Sequence, residues 1–275
     1  MILSIAGNLF TGFDVQTEIF FSNGFKNRTF QVKIPIMRNI YVLAFIAFLG
    51  LTSCRFMGKR VHGNGVIKTI EQSVSSFQEV EANGDIKLLV TQGDLKPVKI
   101  EGDENIISLI EVIQEGDKII IQPKDGYNLH PTGDLNIYVT SPKYKSIEVS
   151  GSSDIVGENK ITNTEEISLG ASGSGDIKME LDAPKISAGI SGSGSVNLKG
   201  QAKDLDISLS GAGHAYCYEL LTENTTIEIS GAGSAQVYAS VNLKAEVSGA
   251  GTINYKGNAK VSQSISGAGS VNRTD

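Results

Sequence analysis

From Val149 onward, apolar and polar residues alternate in short runs, and each run breaks on the same signature, Ser-Gly followed one residue later by a second glycine. The stretch Ile227–Tyr238, IEISGAGSAQVY, is the clearest copy. Ile227 and Ile229 alternate with polar residues before the glycines, and Ala235 and Val237 do so after them. A period of two on both sides predicts two short strands, each with one buried face. The Gly-x-Gly between them turns the chain, since only glycine enters positive φ without steric cost. The motif serines are Ser150, Ser172, Ser191, Ser210, Ser230, Ser248 and Ser266, at intervals of 18 to 22 residues. Each is followed by a glycine: Gly151, Gly173, Gly192, Gly211, Gly231, Gly249 and Gly267. The third residue after the serine is also glycine except at Ser153, and the residue before the serine and the fifth after it are always apolar.

A strand, a sharp corner, a second strand and a return loop make one coil of a solenoid, which cannot bury its own apolar stripe and must stack on its neighbours. The expected fold is therefore all-β, a parallel β-solenoid or β-helix with coils of about 18–22 residues, Ser-Gly-x-Gly corners, and serine stacked over serine about 4.8 Å apart. From Val61 to Lys145 the same style continues with looser spacing, which predicts longer strands. Glu115-Gly116-Asp117 and Lys124-Asp125-Gly126 read as turns, and Asn105–Gln114 fits a helix or a strand. Residues 61–275 are read as one domain with atypical terminal coils.

Composition sharpens this picture. Aromatic residues make up only 7% of the 275 residues and there is no Trp, so the core is expected to be thin and built of Ile, Val, Leu and Ala. A net charge of −6 leaves no basic patch for nucleic acid. The stretch MRNIYVLAFIAFLGLTSC places Met37 and Arg38 before a 12-residue apolar run, Ile40–Leu51, and ends on small residues and Cys54. The run is too short to span a membrane, which takes about 20 residues, and has the layout of a secretory signal peptide. Leu51-Thr52-Ser53-Cys54 resembles a bacterial lipobox, in which cleavage before the cysteine leaves its thiol to carry diacylglycerol. Residues 1–36 then read as an upstream extension of the gene, 37–53 as the signal peptide and 54–60 as a tether. Removing 1–53 takes away four basic and two acidic residues, so the exported body carries −8.

Candidate chemistry is sparse. A calcium-binding β-roll would need an acid at each corner, but the fourth residue after the serine is acidic only at Asp154 and Asp176, so no metal or other cofactor is assigned. His62, His130 and His214 stand in different sequence contexts, and after Cys54 the only arginines are Arg55, Arg60 and Arg273. No catalytic residue is assigned; a polysaccharide-processing lyase or hydrolase is the alternative reading. Strand parity puts the fifth and seventh residues after each serine inside and the sixth and eighth outside. The outward positions include Tyr216, Tyr218 and Tyr238 with Asn197, Gln236 and Asn254, a candidate ligand face for a polysaccharide or another envelope component. Tyr218 and Tyr238 are expected at the same place in successive coils.

The segments FQEVEANGDIKLLVTQGD (Phe77–Asp94) and VKIEGDENI (Val98–Ile106), with the run of glycine corners to the C-terminus, resemble the head GIN domain family, described as an auto-transporter adhesin head. The resemblance covers nearly all of the exported body. It implies a right-handed β-solenoid, export, often a lipobox, and an adhesive or structural role in the cell envelope, with no catalytic residue to carry over. With the lipobox it implies an outer-membrane lipoprotein held by its lipid anchor. Arg55, Phe56, Met57 and Gly58 follow Cys54 without an acidic cluster, which leaves both faces of that membrane open.

Overall fold

The computed structural model describes residues 58–275; the segment 1–36, the signal peptide and Cys54 lie outside the described residues. Nine strands and a one-turn helix precede the repeat: β1 (Lys59–His62), β2 (Ile67–Gln72), β3 (Glu79–Gly84), β4 (Lys87–Gln92), β5 (Val98–Asp103), α1 (Glu104–Ile107), β6 (Ile110–Glu115), β7 (Lys118–Pro123), β8 (Tyr127–His130) and β9 (Asn136–Ser141). The repeat follows as β10 (Ser146–Gly151), β11 (Asp154–Gly157), β12 (Ile161–Thr162), β13 (Glu166–Gly173), β14 (Ile177–Gly192), β15 (Ser195–Gly211), β16 (His214–Cys217), β17 (Leu220–Gly231), β18 (Ser234–Tyr238), β19 (Asn242–Gly249), β20 (Thr252–Lys256), β21 (Lys260–Gly267) and β22 (Ser270–Arg273). These strands form a β-solenoid of about 7 turns over residues 146–273.

All seven motif serines fall in one register column, each paired in parallel with the serine of the next coil. The column extends one coil further than the motif. Asn83 pairs with Ser150 and Gly84 with Gly151, so Asn83-Gly84 is an eighth corner. In the middle coils the return is not a loop. β14 and β15 run 16 and 17 residues without a break, carrying the ladder around the return from one corner to the next.

The corner geometry explains why glycine is required there. The seven motif glycines have φ between 94° and 131°, in the left-handed region. A Cβ on any of them would land on the carbonyl oxygen of the corner glycine one coil below. That oxygen is itself in use, because it accepts the N–H of the second residue after the serine: Ser193 to Gly173 at 2.9 Å, Ala212 to Gly192 at 2.9 Å, Ala232 to Gly211 at 2.9 Å and Ala250 to Gly231 at 2.8 Å. The second glycine of the motif answers to space alone. Gly233 is not in the left-handed region, but a Cβ there would come 2.5 Å from the Gly213 carbonyl oxygen. At the one exception, the buried Ser153 hydroxyl donates to the Gly84 carbonyl at 2.9 Å.

Residues 58–145 differ from the looser repeat with longer strands that spacing predicts. Their strands are only four to six residues long, and stacking order departs from chain order. β7 and β9 pair in parallel with β3 and β4 on the side away from β10 and β11, so the later segment forms the outer coil. Beyond it the pairing turns antiparallel, β6 on β7, β5 on β9 and β2 on β5, which closes the edge a parallel stack would leave open. Both readings of Asn105–Gln114 hold in succession, since α1 gives one helical turn and β6 follows. Gly116-Asp117 and Asp125-Gly126 are turns as expected.

One apolar core runs from Phe77 to Ile253 and consists of Ile, Val, Leu and Ala apart from Phe77, Tyr144, Met179 and Cys217. The two rings meet edge-on at 6.3 Å. The Tyr144 hydroxyl lies 3.0 Å from the Thr91 carbonyl oxygen and 3.1 Å from that of Val139, and burial raises its pKa. At the other end the stack is uncovered: Ile265, equivalent to the buried Ile229 and Val247, is 39% exposed.

Gly231→Val puts a β-branched residue at φ 124° and onto the Gly211 carbonyl, and is expected to destabilise the protein by about 1–3 kcal/mol or more. Gly267→Val meets the same conflict with Gly249, but the last coil can lift away, so its melting temperature is expected to fall less. Equal shifts in thermal unfolding would contradict the stacking described.

Candidate functional site

Along the sheet that follows the corner, Asn197, Tyr216, Gln236, Asn254 and Asn272 stand in consecutive register, one per coil. The residues on either side of them in the strand point inward: Ala215, Cys217, Ala235, Val237 and Ile253 are buried. The predicted in-and-out pattern therefore holds, and it makes a row of amides interrupted by one phenol. Tyr216 is 41% exposed, and its ring stacks against His214 with centroids 6.1 Å apart. Asn272 Nδ2 donates to Asn254 Oδ1 at 3.4 Å, continuing the row by a side-chain contact.

The three tyrosines do not form the patch expected of them. Register between β16 and β18 ends at Cys217 and Val237, and Tyr218 lies in the turn that follows. The coil of Tyr218 carries two more residues in its return than the coil above, since Gln236 follows Tyr216 by 20 residues whereas Asn242 follows Asn224 by 18. The surplus is taken up at Tyr218-Glu219. The Tyr218 ring lies under Lys256 Nζ at 5.1 Å and its hydroxyl donates to Thr274 Oγ1 at 3.3 Å, so it straps the outer coils together. Tyr238 is half-buried and pairs in register with Lys256; its carbonyl accepts from the Thr222 and Thr225 hydroxyls.

The acids at the corners have structural work. Asp154 Oδ1 accepts the Asp176 N–H at 2.9 Å, and Asp176 Oδ1 accepts the N–H and hydroxyl of Ser195 at 2.8 and 2.6 Å. In the next coils His214 Nδ1 lies 2.8 Å from Ser234 Oγ. The backbone N–H groups of Ala232 and Ser234 donate to the Gly211 and Gly213 carbonyls at the same corner. His62 and His130, which the sequence separates, are register partners across β1 and β8 with rings 5.2 Å apart. Among the described residues no group of three or more His, Cys, Asp or Glu could hold a metal ion. The Cys217 thiol is free and buried, and burial pushes its pKa up to about 12, so it is an inert core group.

A second feature, on the sheet before the corner, escaped the sequence reading. Two residues before the motif serine, successive coils carry Glu148, Gly170, Gly189 and Ser208 in one register column. The two glycines open a shallow trough of about 330 Å³, bordered by Ser150, Ser172, Ser191 and Ser210 and by Glu81 and Glu148. Lys118, 2.5 Å from Glu81, holds that carboxyl below its usual range. Glu148 accepts from the Ser146 hydroxyl at 3.0 Å and has no ion-pair partner among the described residues. The signal that could have revealed the trough was the loss of a side chain at an outward strand position in two consecutive coils.

The described residues thus present rows of small polar side chains on the outside of a filled solenoid. The chain belongs to the family described as "Putative auto-transporter adhesin, head GIN domain", whose model matches residues 76–259. Solved structures agree. A putative adhesin from Bacteroides fragilis is 25% identical with a TM-score of 0.74, over 78% of this chain and 100% of that one. A putative adhesin from Parabacteroides distasonis is 27% identical with a TM-score of 0.64, over 78% and 100%. A putative lipid binding protein from the same species is 25% identical with a TM-score of 0.67, over 79% and 100%. None of these relatives is described as an enzyme. No curated protein matches the chain.

Proposed function

We propose that this protein is an adhesin of the bacterial cell envelope, exported and lipid-anchored through Cys54 in the outer membrane, whose solenoid holds an envelope or surface polysaccharide. Family membership supports the adhesive role. The observation that carries the glycan reading is the row Asn197–Tyr216–Gln236–Asn254, where amides able to pair with hydroxyls flank one exposed ring suited to the C–H face of a sugar. The row is flat and runs along the stack, which suits an extended polymer better than a small metabolite. The lipid-binding description of one relative finds less support, since an acyl chain needs an apolar cavity and the interior is filled by Ile, Val, Leu and Ala side chains at 0–9% exposure.

Two outcomes are expected. Mass spectrometry of protein from native membranes shows an N-terminal peptide that begins at an acylated Cys54; a peptide from residues 1–36 in the membrane-bound protein contradicts the anchor. Tyr216→Ala weakens glycan affinity by about two- to twelve-fold, the aromatic contribution of about 0.5–1.5 kcal/mol, at an unchanged melting temperature. Unchanged affinity excludes this row.

A further inference from the structure

A glycine in the middle of a strand lowers stability and signals a bulge, a strained backbone or the close approach of another molecule. The corner glycines meet the second condition. Gly189 meets none that lies within the protein: its φ is outside the left-handed region, its strand is continuous, and an added Cβ would touch nothing within 4 Å. Gly170, its register partner, is also outside that region, and a Cβ there would press only on the flexible Glu148 side chain, at 3.2 Å to Cγ. Neither conformation nor packing calls for glycine at these two places. What their lack of side chains does is expose bare backbone across two coils, between Glu148 on one side and Ser208 on the other.

We propose that this trough is a glycan subsite that takes an uncharged polysaccharide; it rests on the glycan reading above. A pyranose ring has a C–H face that needs a flat, shallow floor and a rim of hydroxyls that needs donors and acceptors beside it. The glycine backbone supplies the floor. Ser172 and Ser191 supply hydroxyls at about 4.8 Å spacing along one edge. Glu148, lacking a cationic partner, supplies a carboxylate that accepts from two adjacent sugar hydroxyls. Charge selects the class of polymer: Glu81 is offset by Lys118, but Glu148 on the trough's edge is not, and on an acidic body it repels a uronate or sulfated chain.

The test uses residues 58–275 if the isolated body unfolds cooperatively, and otherwise the acylated protein in detergent. Calorimetric titrations use hexaoses of β-1,4-glucose, β-1,4-mannose and β-1,3-glucose, with a hexamer of galacturonate as the anionic probe. At least one neutral hexaose is expected to bind and the galacturonate not. Gly189→Val sets its Cβ in open space and fills the trough, so it is expected to lose at least tenfold in affinity while its melting temperature stays the same or rises; Glu148→Gln loses less. That result upholds the trough whatever Tyr216→Ala does. Binding that survives Gly189→Val but is lost in Tyr216→Ala overturns this subsite and leaves the amide row as the glycan site. Binding by none of the neutral hexaoses overturns both. Self-association of wild type, lost in Gly189→Val without any glycan bound, also overturns the subsite and gives the trough to a second copy of the chain.

Discussion

One backbone contact sets the terms for the rest of the molecule. At each corner the carbonyl oxygen of the motif glycine sits where the next coil's glycine would carry a Cβ, and it accepts an N–H from that coil two residues beyond the serine. A side chain at that point would remove both the approach and the positive φ that aims it. Once the corner is fixed, the serine before it faces out, the fifth residue after it faces in, and coils can stack only in one register. The surplus residues of longer coils are then forced to the side away from the corner, as at Tyr218-Glu219.

The same constraint shapes what the surface can present. Because every outward position repeats at one strand spacing, a change of residue type writes itself as a row, and rows of Asn, Gln, Ser and Tyr are what an extended, hydroxyl-rich ligand can read. Among the described residues the interior is packed with apolar side chains, so the proposed recognition is assigned to the outer faces. The N-terminal antiparallel strands stop the ladder at one end, while the last coil leaves Ile265 partly exposed at the other.

Much of this was legible in the sequence, and the reason is local. The glycine spacing carried the register, the alternation carried the inward and outward faces, and the scarcity of aromatic residues carried the makeup of the core, with Phe77 and Tyr144 as the buried exceptions. What could not be read depended on contacts between distant segments. That β7 and β9 stack outside β3 and β4 is fixed by pairing across about 40 to 50 residues, Glu79 with Lys118 and Lys87 with Asn136, on which periodicity is silent. Asn83-Gly84 hid as a corner because Asn replaces the serine and Ile86 the second glycine. Tyr218 left its row because coil lengths differ by two residues in a return that the motif does not mark. Gly170 and Gly189 look like any other glycines until their surroundings show that nothing inside the protein needs them.

The corner contact itself is open to direct measurement by native-state amide hydrogen exchange, read residue by residue at the second position after each motif serine. Ala212, Ala232 and Ala250 are expected to exchange only with global unfolding, as slowly as the core strand amides beside them, and Ala268 in the uncovered last coil faster. Exchange at Ala232 or Ala250 at the rate of an open surface turn, with the neighbouring strand amides still protected, would show that the coils are held by their apolar stripe alone and that the glycine corner is not the constraint on which the stack depends.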